Sequence, residues 1–265
     1  MRIVRFSPAT ADPLLDLGKE PLFGVLAEDS IAVIVGDPLF SGVKPTGKIV
    51  PLAQVRLLAP VLPRSKVVCI GKNYADHAKE MGGEVPDEPI IFLKPTTSVI
   101  GPQDTIIWPA MSDRVDFEGE LAIVIGRICK DVPKERARDV IFGYTIGNDV
   151  TARDLQKKDG QWTRAKGFDT FCPLGPWIET DFVPGDQKIT TTLNGELKQS
   201  GCLSDMINDI PAIINFVTQV MTLLPGDVIL TGTPAGIGPM PEKSTVTVAI
   251  EGLGELTNKV SAHGR

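Results

Sequence analysis

Leu121-Ala122-Ile123-Val124-Ile125 is an unbroken apolar run with three β-branched residues. Such a run reads as a buried strand. Glu118 and Glu120 stand just before it. Strand alternation points both to one face, with Asp116 in phase at the strand's start. Two like charges at the mouth of a buried strand repel unless something positive lies between them. Asp149 follows in Gly147-Asn148-Asp149-Val150. Three hard oxygen donors of this kind suit Mg²⁺, Mn²⁺ or Ca²⁺ rather than zinc. Alone, Glu-x-Glu is more often a solvated strand face, so the surrounding residues decide.

The chain has 26 Gly and 22 Pro outside any low-complexity tract. It must turn often, which favours an α+β, strand-rich architecture. Its 265 residues suffice for one large domain, or a large one with a small appendage. Residues 1–60 carry short apolar runs punctuated by Pro, Gly and Asp, as in a small N-terminal β domain. The stretch 50–60 reads as a connection into a larger domain over 61–265. There, strands are expected at 66–70, 90–94, 105–108, 119–125, 142–149, 175–179, 188–193, 228–231 and 246–250. Asn73 suits the cap of a short helix stopped by Gly82-Gly83, and 133–140 reads as another short helix. Asp209, with Pro211 behind it, should start a helix burying Ile210, Ile213, Ile214, Val217, Val220 and Met221 and stopping at Pro225-Gly226.

A net charge of −6 argues against a nucleic-acid surface, which needs clustered Lys and Arg. No window approaches ~18 consecutive apolar residues, so no membrane span is expected. The start lacks the apolar stretch of a secretory signal. Cys69, Cys129, Cys172 and Cys202 show no metal-finger spacing and read as buried free thiols, so a cytoplasmic location is expected. No dinucleotide fingerprint occurs. The glycine-rich stretch 232–238 opens no helix, which makes a phosphate cradle a weak reading.

His77 is one of two histidines; His263 lies in the polar tail. On a helix His77 shares a face with Glu80, and a carboxylate so placed orients the imidazole and raises its basicity. A His–Glu dyad can draw a proton from water near neutral pH, although a solvated i,i+3 pair is the plainer reading in isolation. Lys166, flanked by small and apolar residues, could balance a buried anion or sit on a loop. Arg153 and Gln156 follow Asp149 by four and seven, on one side of a helical turn or on a solvated face. Thr233 could offer a hydroxyl in a tight turn or only bond its own backbone.

In chain order, Gly71-Lys72-Asn73-Tyr74-x-x-His77-x-x-Glu80, Asp116-Phe117-Glu118-x-Glu120-Leu121, Gly147-Asn148-Asp149-Val150-Thr151-x-Arg153, Lys166-Gly167-Phe168-Asp169 and Gly232-Thr233-Pro234-x-Gly236 together resemble the fumarylacetoacetate hydrolase superfamily. The matches span about residues 66–240. The resemblance implies a mixed β-sandwich roll and a divalent ion, usually Mg²⁺, held by Glu118, Glu120 and Asp149. It implies a 2-oxo acid chelated to that ion, Lys166 adding positive charge, and Arg153, Gln156 and Thr233 holding substrate oxygens. His77 and Glu80 match the family's water-activating pair, on a segment that acts as a lid in similar enzymes. The turn 71–74 lacks an additional Asp ligand that fumarylacetoacetase carries there, so smaller bacterial-type members are the closer match. These include acylpyruvate hydrolases, oxaloacetate decarboxylases and dienedioate isomerases. The expected activity is metal-dependent C–C hydrolysis of a short 2-oxo or 2,4-dioxo acid. Decarboxylation or isomerisation of an oxo-diacid, lyase or dehydratase action on a keto-deoxy sugar acid, and a non-catalytic binding protein remain as alternatives. A homodimer is expected from the resemblance and from the frequency of two-fold oligomers.

Overall fold

The run that reads as a buried strand forms Gly119–Ile125, and all seven of its residues are buried. Its two faces serve different cores, as its lack of polar alternation requires. Leu121, Ile123 and Ile125 join Ile189, Val248, Ile250 and Leu256 in one cluster. Ala122 and Val124 join Cys69, Cys172, Leu174 and Leu230 in another. The computed structural model describes residues 1–9, 18 and 20–262, so His263 lies outside the described residues.

Among the described residues, the largest sheet runs Pro45–Pro51, Ser30–Ile34, Leu22–Ala27, Arg2–Pro8, Cys172–Glu179, Ile141–Asn148, Gly119–Ile125, Val228–Leu230, Val67–Gly71, Ile90–Lys94. Strands distant along this path meet in the second cluster: Val67 and Cys69 from one end, Phe23 and Val25 from the other. The sheet therefore rolls around that core. A five-stranded sheet, Glu196–Cys202, Lys188–Leu193, Thr245–Ile250, Gly254–Ala262, Thr105–Trp108, packs on its outer face to enclose the first core. The helix Ile210–Val220 closes the same core with Ile210, Ile213, Ile214 and Val217. Asp209 caps it, accepting the Ala212 N–H at 2.8 Å.

Several expectations change. The 50–60 connection contains the strand Val55–Leu58, which pairs with Arg2–Pro8. Arg2–Pro8 also pairs with Cys172–Glu179, so the N-terminal strands extend the main sheet. Asn73 caps no helix: its amide donates to the Asn208 and Thr231 carbonyls, while Ala75–Glu80 starts without a side-chain cap. The 133–140 helix is a 3-10 helix, Lys134–Val140. The long helix ends at Val220, which is 58% exposed, rather than at Pro225-Gly226. Glu196–Cys202 and Gly254–Ala262 escaped sequence reading because polar and charged residues break their apolar pattern. The cysteines are free; three are buried and Cys202 half-buried.

Because Ile123 is fully buried in the first core, Ile123→Ala should destabilise the protein by about 2–5 kcal/mol. A urea melt reads this as a lower midpoint at unchanged slope; an unchanged midpoint would remove the strand from the core.

Candidate active site

Hairpin register brings the carboxylates together. Gly119 pairs with Asn148 and Glu120 with Gly147, so Asp149 emerges beside Glu118 and donates its N–H to the Glu118 carbonyl at 2.9 Å. Glu118 itself lies in neither flanking strand, between Val115–Phe117 and Gly119–Ile125, and Asn148 Oδ1 accepts its N–H at 3.0 Å. Glu120 is in phase with Ala122 and Val124, at the mouth of the rolled core. One carboxylate oxygen each of Glu118, Glu120 and Asp149 lies within 4.8 Å of the others, and all three residues are buried. Asp116 stays out of this cluster: it pairs with Arg114 and Arg153.

Buried like charges need compensation, and two buried lysines supply most of it. Lys166, at the end of the turn Thr163–Lys166, donates to Glu118 Oε2 at 2.8 Å and Asp149 Oδ2 at 2.6 Å. Lys94 donates to Asp149 Oδ1 at 2.6 Å and to the Val150 carbonyl at 3.2 Å. Lys94 is 1% exposed, and sequence reasoning missed it as a site residue. Its signal was faint: a lysine closing the apolar run Ile90-Ile91-Phe92-Leu93 before Pro95. Arg153 pairs with Asp116 and Glu118, and Gln156 Oε1 accepts from it at 2.7 Å.

The two glutamate carboxyls are shifted in opposite directions. Burial disfavours ionised Glu118, but Lys166 and then Arg153 outweigh it and hold that carboxyl well below its ordinary range. Burial, reinforced by Asp149 and Glu118, pushes the Glu120 carboxyl well above its ordinary value. Burial also opposes the Lys166 charge, yet Asp149 and Glu118 raise its ammonium pKa. Among the described residues Glu120 forms no ion pair; it accepts one hydrogen bond, from the Gly232 N–H at 2.7 Å. A buried carboxylate with no ion-pair partner among the described residues, beside two lysine-paired carboxylates, fits a hard divalent ion as its counter-charge.

A cavity of about 200 Å³ is lined by His77, Glu118, Glu120, Asp149, Arg153, Gln156, Lys166 and Thr233, eight of the nine side chains expected in the site. Glu80, the ninth, accepts from Gly236 N–H through both oxygens and lies 3.2 Å from His77 Nδ1. His77 is 5% exposed, so the pair is not a solvated one. A proton held on Nδ1 by that carboxylate would leave Nε2 with the lone pair. Thr233 gives its hydroxyl proton to the Gly119 carbonyl and accepts from Gln199. Ile70, Met81, Phe92 and Trp162 complete an apolar wall, with Lys166 Nζ 5.0 Å from the Phe92 ring centre.

The rolled sheet thus carries three carboxylates and a buried lysine at its mouth. The signature described as fumarylacetoacetate (FAA) hydrolase C-terminal matches residues 66–261, and that described as Rv2993c-like, N-terminal matches residues 1–60. The chain belongs to the fumarylacetoacetate hydrolase family and is an enzyme of that superfamily. Protein Rv2993c of Mycobacterium tuberculosis is 60% identical over 233 residues, 87% of this chain and 86% of that protein. The 5-carboxymethyl-2-hydroxymuconate delta-isomerase from Mycobacterium smegmatis superposes with a TM-score of 0.89 at 50% identity, covering 99% of this chain and 100% of that one. A fumarylpyruvate hydrolase from Pseudomonas aeruginosa, solved with Mn²⁺ and pyruvate, superposes with a TM-score of 0.72 at 31% identity, covering 78% and 92%.

An ion entering this site would compete with protonation of Glu120. Because that carboxyl titrates above its ordinary range, Mn²⁺ affinity should rise with pH beyond that range, with about one proton released per ion. Calorimetry in buffers of different ionisation enthalpy measures both. Glu120→Gln should weaken binding and remove the proton release; uptake independent of pH would exclude Glu120 as a ligand.

Proposed function

We propose that the protein is a divalent-metal-dependent enzyme that hydrolyses a C–C bond of a short 2-oxo or 2,4-dioxo acid, as an acylpyruvate hydrolase does. The observation that carries this reading is a buried histidine, oriented by Glu80, on the wall of the cavity that holds the carboxylate trio. Glu118, Glu120 and Asp149 would hold Mg²⁺; Mn²⁺ and Ca²⁺ share the same ligand chemistry. Such an ion would supply Lewis acidity toward the keto oxygen of a 2-oxo acid.

The chain's own groups do the rest. His77 Nε2 takes a proton from water as the water oxygen bonds to the carbonyl carbon farther from the carboxylate. The C–C bond breaks with its electron pair on the carbon that becomes the methyl group of a 2-oxo acid. A proton returns to that carbon, and the other fragment leaves as a carboxylic acid. Lys166 holds the Glu118 carboxyl below its ordinary range, donates to Asp149 as well, and would place positive charge where negative charge develops. Arg153 commits one N–H from each guanidinium nitrogen to Asp116, Gln156 and Glu118, leaving others for a substrate oxygen. Gln156 accepts through Oε1, so its amide N–H groups can donate. The Thr233 hydroxyl proton is already placed on the Gly119 carbonyl, so toward substrate that hydroxyl accepts.

A second reading is isomerisation or decarboxylation of an oxo-diacid, supported by the likeness to the M. smegmatis isomerase. It needs an enolate but no activated water. His77→Ala separates the two. Acylpyruvate hydrolysis should fall about 10²–10⁴-fold, the range for a lost general base, while oxaloacetate decarboxylation falls much less. Equal losses in steady-state rates would mean that the pair serves closure or binding, not water activation.

The same reading takes the protein as a cytoplasmic homodimer. Free cysteines fit a reducing compartment, and no described helix is long and apolar enough to cross a membrane. Two-fold assembly is the commonest oligomeric form. Sedimentation should give a dimer at micromolar concentration; a monomer alone overturns that part.

A further inference from the structure

Gln199 is fully buried, yet it belongs to Glu196–Cys202, the edge strand of the five-stranded sheet, where its neighbours Leu197, Lys198 and Ser200 are exposed. Its strand partner changes register there: Thr191 pairs with Gln199 and Thr192 with Leu197, so Lys198 is the extra residue of a bulge. Bulges re-aim side chains. This one sends a polar amide inward, to the residue between Glu118 and Glu120.

The amide is fully engaged. Oε1 accepts the Gly119 N–H at 3.0 Å, and Nε2 donates to Thr233 Oγ1 at 2.8 Å and to the Pro234 carbonyl at 2.7 Å. Thr233 completes the ring by donating to the Gly119 carbonyl at 2.9 Å. Both peptide groups of Gly119 are thus held by side chains. The reason is topological: the Val228–Leu230 strand pairs only from Ala122 to Val124, so its ladder ends before Gly119. A side chain on Gly119 would collide with Thr191 and Val248, so the backbone there sits hard against the second sheet.

We propose that Gln199 is a positioning residue for the metal site: with Thr233 it clamps Gly119 and so fixes the spacing and direction of Glu118 and Glu120. The inference rests on the reading that these carboxylates, with Asp149, hold a divalent ion. Only an amide of this length serves the clamp, because it must accept from one partner and donate to two. Glutamate cannot donate, methionine does neither, and asparagine is one methylene shorter.

The probe is Mn²⁺ alone, titrated without substrate and followed by electron paramagnetic resonance of the free ion. Gln199→Met should weaken binding by about 10–100-fold, the usual effect of losing a group that orients metal ligands. Thr233→Val should weaken it similarly, whereas Thr233→Ser, which keeps the hydroxyl, should bind as the wild type does. Melting in the presence of a chelator separates positioning from packing, since a packing residue would lower the melting temperature and leave the affinity of the folded protein unchanged. Wild-type affinity in Gln199→Met and Thr233→Val overturns the proposal. Should Gln199→Met not fold, the Thr233 pair decides: loss in Val alone supports the clamp, and no loss in either refutes it. A wild-type protein that does not take up Mn²⁺ overturns the metal reading and this inference with it. Failure of acylpyruvate hydrolysis with the binding pattern intact removes only the proposed reaction.

Discussion

The constraint on which the rest depends is the burial of three carboxylates within 4.8 Å of one another. Such a cluster is unstable unless cations reach it. The fold delivers them from separate elements: Lys94 from the end of an edge strand, Lys166 from a helical turn, Arg153 from the helix after Asp149. Removing one partner from a buried pair costs about 3–5 kcal/mol because the other charge is left uncompensated. The site thus holds its own scaffold under electrostatic constraint. Glu120 remains the exception, with a backbone N–H and no ion-pair partner among the described residues, and that asymmetry leaves the cluster with chemistry that fits a hard ion.

Sheet geometry turns this electrostatics into a cavity. The strand Gly119–Ile125 is buried on both faces, so its polar start must open either to solvent or to an enclosed polar space. The rolled sheet produces the second. The break at Glu118 releases the chain from the ladder where the carboxylates must converge, and side chains of Asn148, Gln199 and Thr233 take over the backbone groups that the ladder abandons. Polar satisfaction of the backbone and orientation of the carboxylates are therefore one network.

The helix Ala75–Glu80 is fastened to the same network from the other side. Glu80 takes the Gly236 N–H through both oxygens while facing His77. Gly236, at φ 99°, leaves no room for a Cβ, which would lie 2.2 Å from the Lys198 carbonyl. The loop carrying Thr233 is thus pressed between the histidine helix and the strand carrying Gln199. Movement of the helix would be felt at His77 through the carboxylate that orients it.

Local chemistry wrote much of this in the sequence. Runs rich in β-branched residues mark the strands Thr105–Trp108, Gly119–Ile125 and Lys188–Leu193 at the expected bounds, because β-branched side chains suit the strand backbone. Asp209 and Pro211 marked the long helix start through capping. The Glu-x-Glu pair, Asp149 and the His77–Glu80 spacing named four of the side chains that line the cavity, Glu118, Glu120, Asp149 and His77, since chemistry-bearing residues cluster in short motifs. What only the tertiary structure decided depends on contacts across long separations. Lys94 and Gln199 look ordinary in sequence, and they matter because sheet order and a bulge carry them to Asp149 and Gly119. Asn73 looks like a cap and instead ties distant loops together, because the Asn208 and Thr231 carbonyls accept from its amide. The opposite pKa shifts of Glu118 and Glu120 follow from which of two like residues a buried lysine bonds, and spacing along a strand holds no record of that.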